Sequence, residues 1–329
     1  MYKFSGIYGH EIIINSLEKA LETGAHAHAY IIDGISGIGK TMLSGIFSRA
    51  LNCAEKIRPC NECTSCKASL AFNHPDIIYV KAKGAALGVS DIREQVNSVA
   101  HIRPYGYSYK IFILEQADKM TVQAQNALLK TLEEPPSYAV FLLISENSHN
   151  FLPTIVSRCV SLKLRPLTTG QVRSYLLAEG YDASLIPACA AASGGSIGRA
   201  IALAKDETYE EERKELQDIL NSLPDSSLWD ILLVAKRLEK FKDRSERMLD
   251  FMHLWYRDAL VHKAVGGEGS SQSFIRQDLN LAAEDFSRKM PLKKLISGAD
   301  SLVSAGHSLR ANGNYLLTME IMLMKMAGY

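Results

Sequence analysis

Residues 34–41, GISGIGKT, fit the pattern G-x-x-x-x-G-K-[ST]. Glycines such as Gly34, Gly37 and Gly39 let a backbone curl until its N–H groups face one point, and the N-terminus of a following helix adds a field that favours anions. In such a loop Lys40 reaches the β- and γ-phosphates of a nucleotide, and Thr41 offers its hydroxyl to Mg²⁺. The plainer reading is a glycine-rich turn that only caps a helix. A second stretch, YKIFILEQADKM at 109–120, runs the apolar residues Ile111 to Leu114 into Glu115 and Gln116. An acidic pair at the end of a buried strand is how many nucleoside triphosphatases hold magnesium and aim a water. Glu115 retains the first ability, although its extra methylene alters the geometry. Gln116 carries an amide, which orients water by hydrogen bonding but accepts no proton at neutral pH. Together the two stretches predict that ATP with Mg²⁺ is bound and slowly hydrolysed. A polar strand end without a role is the bland alternative for Gln116.

The third chemical cluster is CAEKIRPCNECTSC, which places Cys53, Cys60, Cys63 and Cys66 in a C-x6-C-x2-C-x2-C pattern. Four thiolates within so short a segment suit tetrahedral Zn²⁺, and a full set of four leaves no open position, so the expected metal is structural. Reduced packing thiols and an iron–sulfur cluster are the other readings. Cys159 and Cys189 lie far away in sequence and are expected to be packing residues.

These residues need a scaffold. An amphipathic segment, Ile12 to Leu21, precedes an apolar run, Ala29 to Ile32, which leads into the glycine-rich loop and a helical stretch, Thr41 to Leu51. DIIYV, KIFIL, AVFLLIS and CVSLKL read as further strands. Helical patterns lie between them at Val89 to Ala100, with Ser90 a candidate cap, and in TVQAQNALLKTLEEPP, with Thr121 near its cap. Strands that alternate with helices and lack hairpin turns predict an α/β fold, a parallel sheet with helices on both faces. Near Arg165-Pro166 the strand signal ends. Beyond Lys205 helices dominate, with one face marked by Leu228, Ile231, Leu232, Ala235 and Leu238 and another by Met248, Met252, Trp255, Tyr256 and Ala259. GGEGSSQS at 266–273 reads as a loop between helices. The methionines of NYLLTMEIMLMKM are expected in a core or subunit interface.

A net charge of +1 gives no overall attraction to nucleic acid or to an anionic membrane, and no basic stripe with interleaved aromatics stands out. The N-terminal sequence shows no signal peptide, and no apolar stretch has the length of a membrane span, so a cytoplasmic location without membrane contact is expected. Thiols there stay reduced, which favours metal over disulfide for the cysteine cluster.

The order of these features resembles the clamp-loader branch of the AAA+ ATPases. The resemblance rests on the P-loop, the four-cysteine module directly after the P-loop helix, the run ADKM…NALLKTLEEPP…SRC, and the opening FSGIYGHEIIINSLEKAL. It is strong to about Ala204 and weaker beyond, through LWYRDAL and GNYLLTMEIMLMK. It implies a RecA-like P-loop domain over 1–165 with a zinc module at about 53–66, a helical lid over 166–205 and an all-α collar domain over 206–329. It also implies roles for single residues. Ser145, or Asn147 beside it, matches the strand end that senses the γ-phosphate. Arg158, in Ser157-Arg158-Cys159, matches the arginine that reaches into a neighbouring subunit's nucleotide, and a local ion pair is its plain alternative. Tyr8 and His10 match the region bordering the adenine. The lid pattern G-S-x-R is broken here, because Gly198 stands where the arginine would be and Arg199 follows one residue late.

The implied partners are motor subunits of the gamma/tau type and a delta subunit, with the sliding clamp and primer-template DNA reached through the complex. The departure at Gln116, and a chain that ends after one collar-like region, favour an assembly subunit over a motor that hydrolyses its own ATP. An unrelated P-loop kinase with a zinc lid is a third reading, which leaves Ser157-Arg158-Cys159 and the helical region unexplained.

Overall fold

The computed structural model describes residues 4, 6–84, 86–265 and 280–329. The loop expected at 266–273 lies outside the described residues. The chain divides into two compact units. The first is Met1–Leu167 with Ser196–Arg199, and the second is Thr168–Gly195 with Ala200–Tyr329.

In the first unit, strands β1 (Ala29–Asp33), β2 (Ile77–Val80), β3 (Lys110–Leu114), β4 (Ala139–Ser145) and β5 (Val160–Lys163) form one sheet in the order β2-β3-β4-β1-β5. Every pairing is parallel. β1, β3 and β4 are buried at every position, which is why they read as unbroken apolar runs and not as alternating ones. Their two faces still serve different helices. Tyr30 of β1 meets Phe47 of helix α2 (Lys40–Asn52) edge-on at 5.3 Å. Ala29 and Ile31 join the opposite core, which contains Phe112 and Phe141, stacked at 5.1 Å, and Ala124, Leu128 and Leu132 from the helix Val122–Glu133.

Local signals set several element ends. Thr121 caps Val122–Glu133 by accepting from the Ala124 N–H at 3.2 Å, as expected. The segment Val89–Ala100 is helical but carries a π-type turn over Arg93–Asn97, and its cap is Gly88 instead of Ser90. There the Asp91 carboxylate accepts from the Gly88 N–H at 2.9 Å, an interaction that outcompetes a serine one position later. In the first helix, α1 (Glu11–Thr23), only Leu17 is fully buried, and Ile12 faces outward despite its apolar side chain.

The second unit is helical. Its core is built on Met248, Met252, Trp255, Tyr256 and Ala259 from the helix Ser245–Val265, packed with Ile231, Ala235 and Leu238. Leu228 is exposed at the start of its helix. Met319, Met322 and Met326 of Tyr315–Ala327 lie in the same core, so these methionines are packing residues. No helix among the described residues is long and apolar enough to cross a membrane.

Candidate functional site

Strand order assembles the first site. β1 lies between β4 and β5, and β3 lies on the other side of β4. The C-terminal ends of β1, β4 and β3 therefore stand side by side, at the crevice where open parallel sheets bind ligands. The loop after β1 begins at Gly34, whose N–H donates to the Ser145 carbonyl at the end of β4 (3.2 Å). Gly34, Gly37 and Gly39 all have positive φ, at 158°, 71° and 106°. At Gly37 a side chain is excluded twice, because a Cβ there would also lie 2.6 Å from the Ser196 hydroxyl. Gly39 begins α2 without a capping side chain, so the helix N-terminus is left open to an anion.

A cleft of about 320 Å³ is lined by Gly37, Gly39, Lys40, Thr41, Glu115, Gln116 and Ser145 among others. The structure thus gathers the P-loop residues and both strand-end candidates around one space. The Lys40 ammonium donates to the carbonyls of Gly34 (2.5 Å) and Ile35 (2.9 Å), which holds it over the loop it must serve. Burial pushes its pKa down, while Glu146, Asp118 and Asp33 push it back up. Glu115 and Gln116 are exposed at the lip. Gln116 sits in the left-handed region (φ 50°), and its side-chain oxygen accepts from Lys119 at 3.1 Å.

Ser145 is buried and donates its hydroxyl to Asp33 at 3.1 Å. Asp33 also accepts from the Ser148 N–H and hydroxyl, at 3.1 and 3.0 Å. A phosphate oxygen only accepts, so Ser145 can sense one only by giving up its bond to Asp33. Asn147, the alternative, accepts from the His149 N–H and lines a neighbouring cleft with Lys163 and Arg165. Three carboxylates around Lys40 were not assigned from the sequence: Asp33, Asp118 and Glu146. Each lies within three residues of a motif position, which was the available signal.

The second site is the cysteine cluster, between α2 and the short helix Thr64–Leu70. The four Sγ atoms of Cys53, Cys60, Cys63 and Cys66 lie within 4.8 Å of one another. Cys60 and Cys66 Sγ are 3.9 Å apart, close to the edge of a tetrahedron with metal–sulfur bonds of about 2.3 Å and far from a disulfide. Backbone N–H groups point at the sulfurs, from Cys63 to Cys60 at 3.2 Å and from Glu62 to Cys60 at 3.4 Å. These bonds favour the thiolate and lower the Cys60 pKa to about 7, whereas burial pushes Cys53 and Cys66 up. A cation at the centre would offset the cost of ionising the buried pair, so the donor set fits a tetrathiolate metal.

Comparison with known proteins bears on both sites. Residues 9–168 match the family model described as DNA polymerase III, delta subunit. The DNA polymerase III subunit tau of Bacillus subtilis is 26% identical over 98% of this chain. The subunit delta' of the same organism is 26% identical over 95%. These matches support a DNA polymerase III subunit of the clamp-loader family. It spans 61% of the length of the tau relative and 94% of the delta' relative. A gamma subunit-related structure from Thermotoga maritima is 20% identical, with a TM-score of 0.48 over 94% of this chain and 98% of that one.

Two further features concern residues of the first unit. Arg158 follows the short helix Pro153–Val156 and pairs with Glu133 at 2.8 Å, while also donating to the Thr154 carbonyl at 2.9 Å. Both members of the pair are partly exposed, so the guanidinium is held near the surface by a bond that water weakens. The second feature is Gly198. Its N–H donates to the Gly37 carbonyl at 2.9 Å, and a Cβ at 198 would sit 2.8 Å from that oxygen. The glycine that breaks the lid pattern is thus packed against the phosphate loop, and no side chain fits there without a shift. Gly198→Ala is expected to destabilise the α/β unit by about 1–3 kcal/mol. Circular dichroism during urea unfolding should show an early transition, with the Trp255 signal of the helical unit unchanged.

Proposed function

We propose that this chain is a delta-prime-like subunit of a DNA polymerase III clamp-loader complex. In this reading it assembles with gamma/tau motor subunits and a delta subunit, and it assists ATP-dependent loading of the sliding clamp on primer-template DNA. The observation that carries it is Gln116. At the end of β3, where a proton-accepting carboxylate would activate water, the structure has an amide whose oxygen is bonded to Lys119. Nucleotide is held but turned over slowly, and the chain offers Arg158 to the site of an adjacent subunit. The collar over 206–329 is the part assigned to assembly, and 166–205 is read as the helical lid.

For its own nucleotide, the α2 N-terminus and the loop N–H groups would bind phosphate oxygens, with Lys40 as the point charge. Thr41 and Glu115 would hold Mg²⁺, which neutralises phosphate charge when bound. Ser145 would read the γ-phosphate by exchanging its bond to Asp33.

A second reading, a gamma/tau-like motor, is favoured by the intact P-loop, since Lys40, Thr41 and Glu115 share one cleft. Steady-state ATPase of the isolated chain separates the two, because rapid turnover assigns it to the motor class. Native mass spectrometry with purified clamp-loader subunits tests assembly, and failure to join any of them rejects both readings.

The metal is proposed to be one Zn²⁺ per chain, held by Cys53, Cys60, Cys63 and Cys66. Elemental analysis of the purified protein should return that stoichiometry, and a folded, metal-free chain would count against it. Cys63→Ser should lower metal content and expose the 53–66 module to protease. Both tryptophans, Trp229 and Trp255, lie in the helical unit, so tryptophan fluorescence should not change.

A further inference from the structure

The turn after β3 holds a carboxylate, Asp118 of the ADKM run, to which the motifs assign no role. Ala117–Lys119 forms a single 3-10 turn, which carries Asp118 back to the cleft that contains Lys40, Thr41 and Glu115. Asp118 is only 9% exposed, and its Oδ1 is buried without a hydrogen-bond partner among the described residues. A buried carboxylate oxygen left unpaired costs several kcal/mol, so such groups are rare unless something arrives to meet them. The contrast with Asp33 is direct. The carboxylate of Asp33 accepts from Ser145 and twice from Ser148, and it is occupied by the protein itself. The side chain of Gln116 is neutral and engaged with Lys119.

We propose that Asp118 binds the divalent cation that accompanies nucleotide phosphates in this cleft, through the cation's own water molecules, and supplies the negative charge that position 116 lacks. The inference rests on the nucleotide-site reading above. Its chemistry follows from magnesium, which keeps several waters and is held by one or two carboxylates together with phosphate oxygens. A water on the cation would donate to the Asp118 carboxylate, which lines the same space as Thr41 and Glu115. Asp118 also faces Lys40 electrostatically, so its charge is partly balanced before any ligand binds.

The test is equilibrium binding of ATPγS to the full chain, titrated with MgCl₂, for wild type, Asp118→Asn and Lys40→Ala. In the wild type Mg²⁺ should tighten binding. Asp118→Asn should bind Mg-free ATPγS as well as wild type, yet need about tenfold or more Mg²⁺ for half-maximal tightening, the usual loss when a group orienting a metal shell is removed. Melting of the ligand-free variant should not show a stability loss of more than about 1 kcal/mol, since the desolvation of a largely buried carboxylate is relieved as its attraction to Lys40 is lost. A wild-type Mg²⁺ dependence in a folded Asp118→Asn chain overturns the proposal and leaves the nucleotide site standing, provided Lys40→Ala weakens binding about tenfold or more. If the wild-type chain binds no ATPγS at any Mg²⁺ concentration, the nucleotide reading itself fails and this inference with it. Should Asp118→Asn not fold, Asp118→Glu decides. It keeps the charge on a longer stem, so a displaced Mg²⁺ midpoint supports the role and an unchanged one refutes it.

Discussion

Complexes reconstituted with Arg158→Ala are expected to lose at least about tenfold of their DNA- and clamp-stimulated ATPase, whereas this chain's own nucleotide affinity stays at the wild-type value. The reason is the charge and placement of the group. A guanidinium is permanently protonated and presents forked donors, and arginines supplied across a subunit boundary contribute about 10³–10⁵ in rate. The loss should fall short of that range because other sites in the assembly remain active. The geometry adds a control. Glu133 holds Arg158 at 2.8 Å in a half-exposed pair, and exposed pairs contribute at most about 1 kcal/mol. The arginine can therefore leave Glu133 for a phosphate at small cost. Glu133→Gln should weaken ATPase far less than Arg158→Ala. Equal losses in the two variants, or wild-type hydrolysis by normally assembled Arg158→Ala complexes, would make the arginine a local ion-pair partner.

Lys40→Ala in the isolated chain is expected to weaken Mg-nucleotide binding by about ten- to a hundredfold, the loss of one charge-assisted hydrogen bond of about 1.5–3 kcal/mol. The ammonium now bonded to Gly34 and Ile35 exchanges those carbonyls for phosphate oxygens when nucleotide binds. Fluorescent-nucleotide titration measures the change. The same substitution should do much less to the assembled complex than Arg158→Ala, because the proposed reading has this site turning over slowly. Brisk ATP turnover by the wild-type chain, lost in Lys40→Ala, would reverse that assignment and favour the motor reading. Gln116→Glu restores a carboxylate at the strand end and should raise a low basal rate. Lys119, now bonded to Gln116, would compete with water for that carboxylate.

Much of this was legible in the residues themselves. The P-loop could be read because each position of G-x-x-x-x-G-K-[ST] answers a local backbone requirement, and the positive φ values at Gly34, Gly37 and Gly39 meet that requirement. The cysteine set could be read because all four ligands fall within one short segment, where spacing largely determines what can meet. The strands could be read because a sheet covered on both faces leaves unbroken apolar runs. The cap at Gly88 was missed because the Asp91 carboxylate competes with Ser90 for the same helix start, and composition does not rank them.

Other properties arise only when distant segments meet. Strand order brings Glu115 and Ser145 beside a loop some eighty to a hundred residues earlier, and no periodicity encodes which strand neighbours which. Asp118 was given no role from the sequence; the 3-10 turn folds it into the cleft and leaves one oxygen without a partner among the described residues. The sequence by itself determined the glycine-rich loop pattern and the set of four clustered cysteines, since both are made from neighbours along the chain. The tertiary structure decided that Ser145 is already bonded to Asp33, that Arg158 rests on Glu133, and that Gly198 must be a glycine. Each of these depends on a hydrogen bond, an ion pair or a close approach between groups that only folding brings into range.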